Sequence, residues 1–238
     1  ATVVRITEGI EPVQSLTYQN STDPHAWMDV QNGLIYIKNI KDALIALDPD
    51  GKEQYEFNYG VYKQQLEDLD TYIVEKVAEI PTQQRILITS HDAFQYYGRR
   101  YGLQLEAILG VSTDAEAQTS DITRLNKVIR SSNVPAVFIE STVNPKLLQQ
   151  IAKDNKVSIG GQLFSDSSGD EASPAPSYYD MLKYNTDTIV EALKQSNDAA
   201  TLAEQEESLR SMNNYWLFGI VGLLLIGVLF FLVRKMNS

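Results

Sequence analysis

Two histidines occur in the 238 residues, and each stands at a junction where a ligand could reach it. His25 lies in Asp-Pro-His-Ala-Trp, just ahead of a helical pattern. His91 lies in Ile-Thr-Ser-His-Asp-Ala-Phe, between an apolar run and a helical one. A single histidine is more often a hydrogen-bonded structural residue than a ligand, so neither one alone argues for a site. Asp166, in Gly-Gly-Gln-Leu-Phe-Ser-Asp-Ser, follows another apolar run; by itself it reads as a loop residue or a helix N-cap. Together the three make a nitrogen and oxygen donor set suited to zinc or manganese. Glu140, in Val-Phe-Ile-Glu-Ser, reads better as a group that holds backbone N–H groups or supports a ligand than as a ligand itself. Three protein donors with one open position also describe a catalytic zinc, with Glu140 as general base. The sequence signals no nucleophile and no substrate pocket to accompany it.

Such residues need elements to position them. After Pro81, strands at 86–89, 105–109, 136–139 and 157–164 alternate with helices at 93–101, 115–131, 145–155 and 178–193. Apolar strands alternating with helices imply a parallel sheet covered on both faces. Ligands bind such sheets at the carboxyl ends of the strands, and His91, Glu140 and Asp166 all fall there. Ahead of this region the pattern predicts a short buried strand at 3–6, a turn at 7–9 and a polar loop at 14–22. A helix follows from residue 29, with Val30, Leu34, Ile37, Ile40, Leu44 and Leu47 spaced by three or four. Pro49, Asp50 and Gly51 stop it. A longer helix should run from about 52 to 79, with Tyr55, Tyr59, Tyr62, Leu66, Leu69, Ile73 and Val77 along one face.

Composition narrows the field. Cysteine is absent, which removes disulfides and thiolate metal sites. A net charge of −11 argues against a nucleic-acid partner, which needs a basic surface. Residues 215–233 read YWLFGIVGLLLIGVLFFLV, and about 20 apolar residues cross a bilayer's hydrocarbon core. Tyr215 and Trp216 begin the run and Arg234 and Lys235 follow it. That order predicts a single-pass transmembrane helix with the large N-terminal part extracytoplasmic. The acidic, polar stretch at 196–214 reads as a linker. The chain opens on Ala1 rather than methionine, the pattern of a processed or excised chain.

Several segments occur in a definite order: DPHAW at 23–27, TSHDAFQYYGRRYGL at 89–103, VFIESTV at 137–143, GGQLFSDS at 160–167 and YYDMLKYNTDTIVEAL at 178–193. In these the chain resembles the metal-binding receptors of zinc/manganese ABC importers, over roughly residues 3–194. The resemblance implies an α/β fold of two lobes joined by a long linking helix, with metal between the lobes. Residues 1–51 would then be a remnant of the N-terminal lobe, 52–80 the linking helix and 81–195 the C-terminal lobe. The linker at 196–214 and the transmembrane helix at 215–233 complete the chain. The resemblance also implies ligation by His25, His91 and Asp166, Zn2+ or Mn2+ as the transported ligand, and an ABC permease as partner at the cell membrane. Family members carry histidine or glutamate at the position of His91, and the nitrogen donor here shifts preference toward zinc. The family's first histidine belongs to an N-terminal segment outside this chain, so the first lobe is expected to be incomplete. A C-terminal membrane helix is unusual for the family. The alternative is a membrane-anchored adhesion or assembly protein on a degenerate metal-receptor scaffold. Neither reading is an enzyme.

Overall fold

A computed structural model of the chain describes residues 2–15, 21–111, 117–132 and 134–195. The chain divides into two compact units, 1–194 and 195–238, and the first holds every element described below. It opens on irregular chain, tied down where Gln14 bridges Thr22 in antiparallel fashion. A single 3-10 turn, Ala26–Met28, leads into α1 (Val30–Leu47), whose N-cap Asp29 accepts a hydrogen bond from the Gln31 N–H. A second 3-10 turn at Pro49–Gly51 reverses the chain into α2 (Lys52–Ala78).

At 27 residues, α2 is about 40 Å long. Its buried apolar residues, Leu66, Leu69, Ile73 and Val77, all lie in the C-terminal half. Each such side chain contributes about 1.5–3 kcal/mol by leaving water. The N-terminal half packs beside α1 instead, so the two helices form a hairpin whose far end carries exposed Leu47 and Phe57.

Two strand–helix–strand units follow. β1 (Ile86–His91), α3 (Gln95–Tyr101) and β2 (Gln104–Leu109) form the first. α4 (Thr119–Ser132) leads to the second: β3 (Ala136–Glu140), α5 (Lys146–Asn155) and β4 (Ser158–Leu163). α6 (Tyr178–Leu193) closes the unit, capped by the Ser177 hydroxyl accepting from the Asp180 N–H. β1 pairs with β2 and β3 with β4, both in parallel. β1 and β3 lie side by side, yet the ladders are two separate pairs rather than one continuous sheet.

Strand periodicity sends alternate side chains to opposite faces, and here it builds two cores. Leu87 and Phe138 join Leu66, Tyr97, Leu182 and Ile189 on the side of α2, α3 and α6. Their neighbours Ile88 and Val137 join Leu125, Ile129, Leu148 and Ile151 on the side of α4 and α5. Gly160 allows β4 to press against α6: a Cβ there would stand 2.7 Å from both Phe138 and Ala192. Both faces of the strands are thereby covered, as the apolar runs predict.

The expected strand at 3–6 does not form. Val3 is 93 % exposed, Val4 and Ile6 are also exposed, and among the described residues no strand pairs with them. β-branched residues supply propensity, but a strand exists only against a partner. β1 runs to His91 instead of stopping at residue 89, and α4 begins at Thr119 instead of 115. The expected membrane helix at 215–233 lies outside the described residues. Among those described, no helix is long and apolar enough to cross a membrane.

Candidate metal centre

His25 is held by its own loop. Asp23 Oδ1 accepts from the His25 backbone N–H at 2.8 Å and lies 2.6 Å from His25 Nδ1. With Nδ1 engaged by a carboxylate, Nε2 is the nitrogen that faces outward. Trp27 locks the same loop in place: its Nε1–H donates to the Ser165 carbonyl at 2.8 Å, and its own carbonyl accepts from the Tyr178 hydroxyl at 2.8 Å. Residue 27 is therefore pinned to the loop that carries Asp166.

His91 is the last residue of β1, fully buried. Its backbone N–H donates to Glu140 Oε1 at 2.8 Å, and its Nδ1 stands 2.6 Å from Glu140 Oε2. That second approach is a close charge contact, and His91 Nε2 has no hydrogen-bond partner among the described residues. Burial works against a charged His91 ring. The Glu140 and Asp166 carboxylates outweigh it, and its pKa rises above the ordinary 6.5. Asp92, next in the chain, is pushed upward by burial and by the charge of Asp23.

The two imidazoles meet edge-on, with ring centroids 5.4 Å apart. Asp166 Oδ1 lies 3.4 Å from His25 Nε2 and 3.3 Å from His91 Nε2. One donor atom from each of the three side chains lies within 4.8 Å of the others. Bonds of about 2.0–2.1 Å at a tetrahedral angle place two donors about 3.4 Å apart. The two nitrogen–oxygen separations therefore match edges of a zinc-sized tetrahedron, and the donor chemistry fits a borderline transition-metal cation. Asp166 is the more open of the three, its side chain 31 % exposed.

The structure thus brings His25, His91 and Asp166 together and places Glu140 behind His91. Asp23, Trp27 and Thr142, whose hydroxyl donates to Asp166 Oδ2 at 2.8 Å, are further members that the sequence reading did not single out. Asp23 carried a signal, a carboxylate two residues before a histidine, and Thr142 stands two residues after Glu140. Nothing in the sequence points to the long-range contact of Trp27.

A doubly covered α/β unit with a nitrogen and oxygen cluster at its strand ends defines the class, an α/β protein with a donor set that suits a metal. Comparison with known proteins narrows it. The family model of the zinc-uptake complex component A, periplasmic (ZnuA), matches residues 1–192, and the chain belongs to that family. Over 193 residues it is 36 % identical to the manganese-binding lipoprotein MntA of Halalkalibacterium halodurans, covering 81 % of this chain and 64 % of the relative. Over 197 residues it is 37 % identical to the zinc-binding protein TroA of Treponema pallidum, covering 80 % and 64 %. The chain therefore spans just under two thirds of the length of these relatives. Among solved structures it resembles the periplasmic zinc-binding protein TroA from Treponema pallidum, with a TM-score of 0.75 at 36 % identity, covering 80 % of this chain and 71 % of that one. It also resembles the Mn-bound periplasmic metal-binding protein from Candidatus Liberibacter asiaticus, with a TM-score of 0.72 at 28 % identity, covering 81 % and 71 %. The α/β metal-receptor fold expected from the motifs is the fold of these neighbours.

Proposed function

We propose that the chain captures a divalent transition metal outside the cytoplasm and delivers it to an ABC import permease. The cation is held by His25 Nε2, His91 Nε2 and Asp166 Oδ1. The observation that carries this reading is the convergence of those three atoms, with a carboxylate behind each imidazole. Asp23 and Glu140 fix the rings so that Nε2 faces the ion, and they raise the basicity of the donors. Membership of the family and the metals named for its relatives, zinc for TroA and manganese for MntA, support the same reading. On this reading residues 215–233 hold the receptor at the membrane, with 52–80 as the helix between two lobes.

Titration calorimetry of the metal-stripped chain with Zn2+ and Mn2+ tests it. Both ions should bind, zinc at least as tightly as manganese, because two imidazoles and one carboxylate suit the later metal. Absence of heat with either ion rejects the capture role. Protease added to intact spheroplasts should release the globular part, and complete protection would reverse the membrane topology.

A further inference from the structure

The carboxylate of Asp166 is not free to use both oxygens. Oδ1 faces the two imidazoles at 3.4 and 3.3 Å, while Oδ2 accepts the Thr142 hydroxyl hydrogen bond at 2.8 Å. Thr142 follows Glu140 by two residues at the end of β3. One short segment thus supports His91 through Glu140 and restrains Asp166 through Thr142. The restraint acts on the donor that is otherwise least constrained, since both imidazoles are buried and Asp166 is 31 % exposed at its side chain.

We propose that Thr142 determines metal specificity: by engaging Asp166 Oδ2 it holds that carboxylate as a one-oxygen donor and favours an ion that needs few ligands. The proposal rests on the metal-capture reading above. Two imidazole nitrogens stand at tetrahedral-edge distance from one Asp166 oxygen, and zinc is satisfied by four donors in all. Manganese favours six donors, rich in oxygen. To approach that number here, Asp166 must turn its second oxygen to the ion, which breaks the Thr142 bond and leaves the hydroxyl to find another partner. The hydrogen bond therefore sets a cost that manganese bears and zinc does not. Thr142 touches no ion itself; it acts through Asp166.

The test compares Zn2+ and Mn2+ affinities of the metal-stripped full chain, in mild detergent, for wild type, Thr142→Val, Thr142→Ala and Thr142→Ser. Loss of the hydroxyl in the Val and Ala variants should lower the zinc-over-manganese affinity ratio about tenfold, equivalent to about 1.4 kcal/mol. Thr142→Ser, which keeps the hydroxyl, should retain the wild-type ratio. X-ray absorption at the manganese edge should count more oxygen neighbours in the Val variant than in wild type. A change in the ratio below about twofold overturns the proposal, as does a Ser variant that behaves like Val. Equal weakening of both ions assigns Thr142 a purely structural role and overturns it too. Wild type that binds neither ion removes the capture reading itself, whereas wild-type binding with an unchanged ratio in the variants removes only the role of Thr142.

Discussion

Two polar clusters lie within the same folded unit, and they differ in how their atoms are satisfied. At Asp70, on α2, the carboxylate is fully engaged. Oδ1 accepts from the Tyr101 hydroxyl at 2.8 Å and Arg100 Nε at 3.3 Å, and Oδ2 accepts from Gln31 Nε2 at 2.8 Å and Arg100 Nη2 at 2.5 Å. One side chain so joins α1, α2 and α3. At the histidine pair the opposite holds: His91 Nε2, Asp23 Oδ2 and the Ser90 and Ser165 hydroxyls are buried without hydrogen-bond partners among the described residues. An unpaired buried polar group costs about 1–3 kcal/mol. A fold that satisfies one cluster completely and leaves the other open spends stability where a cation can return it. On the proposed reading, the first cluster serves the fold and the second a ligand.

The sharpest way to break that contrast is to mutate each cluster and read both properties. His91→Ala removes a donor and should lower zinc affinity at least about 100-fold, beyond the effect usual for an outer partner of a ligand. Metal-free thermal stability should fall less than that loss implies, because Nε2 has no hydrogen bond to lose and the ring forfeits only its packing and its contact with Glu140. Arg100→Ala should do the reverse. It leaves Asp70 with two of its donors and should destabilise the metal-free chain by about 1–2 kcal/mol, below the figure for a fully buried pair because the Arg100 side chain is 37 % exposed. Its zinc affinity should match wild type. Calorimetric titration and chemical denaturation of both variants decide the matter, and a similar profile for the two would erase the distinction.

The unequal legibility of the two clusters has a physical cause. Histidine is rare in this chain, and His25, His91 and Asp166 each stand in or beside a turn that motif spacing makes visible. The strand–helix frame was readable for a related reason, since apolar runs such as 86–89 and 136–139 carry period and length locally. Residues 3–6 show the limit of that signal: their branched side chains suit a strand, but no local pattern says whether a partner strand will be there. The Asp70 knot was invisible because Asp70 lies 30 or more residues from each of its partners, Gln31, Arg100 and Tyr101, and their residue types do not announce the contact. The pinning of Trp27 to Ser165 spans 138 residues and is likewise a property of the folded chain alone. Substitution of His91 by glutamate tests the proposed preference for zinc. A hard oxygen in place of a borderline nitrogen should narrow the zinc-over-manganese gap or reverse it.

The smallest expected effect concerns pH and sharpens the contrast from the structural side. Burial tends to raise the pKa of Asp70, but hydrogen bonds from Arg100, Tyr101 and Gln31 outweigh it, and the value falls below the ordinary 3.8. A carboxyl whose folded pKa is depressed adds stability above its unfolded pKa and loses it as pH falls through the folded one. The Asp70 contribution should therefore be complete at pH 6 and decline below about pH 4. Total stability is a poor readout, because Asp29 beside the knot is shifted upward by burial and so changes in the opposite sense over the acid range. The difference between wild type and Asp70→Asn reduces that complication, since Asp29 titrates in both proteins and differs only by its coupling to the Asp70 charge. Asn keeps the shape of the side chain and removes its charge, so it still accepts at one oxygen but cannot serve every donor. Wild type should be more stable than Asp70→Asn by about 1–2 kcal/mol at neutral pH, and denaturant midpoints should converge as the pH approaches 3. A gap that stays constant across that range would mean that Asp70 acts by shape rather than by charge. The structural cluster would then owe its stability to packing, and full hydrogen bonding would no longer separate it from the metal cluster.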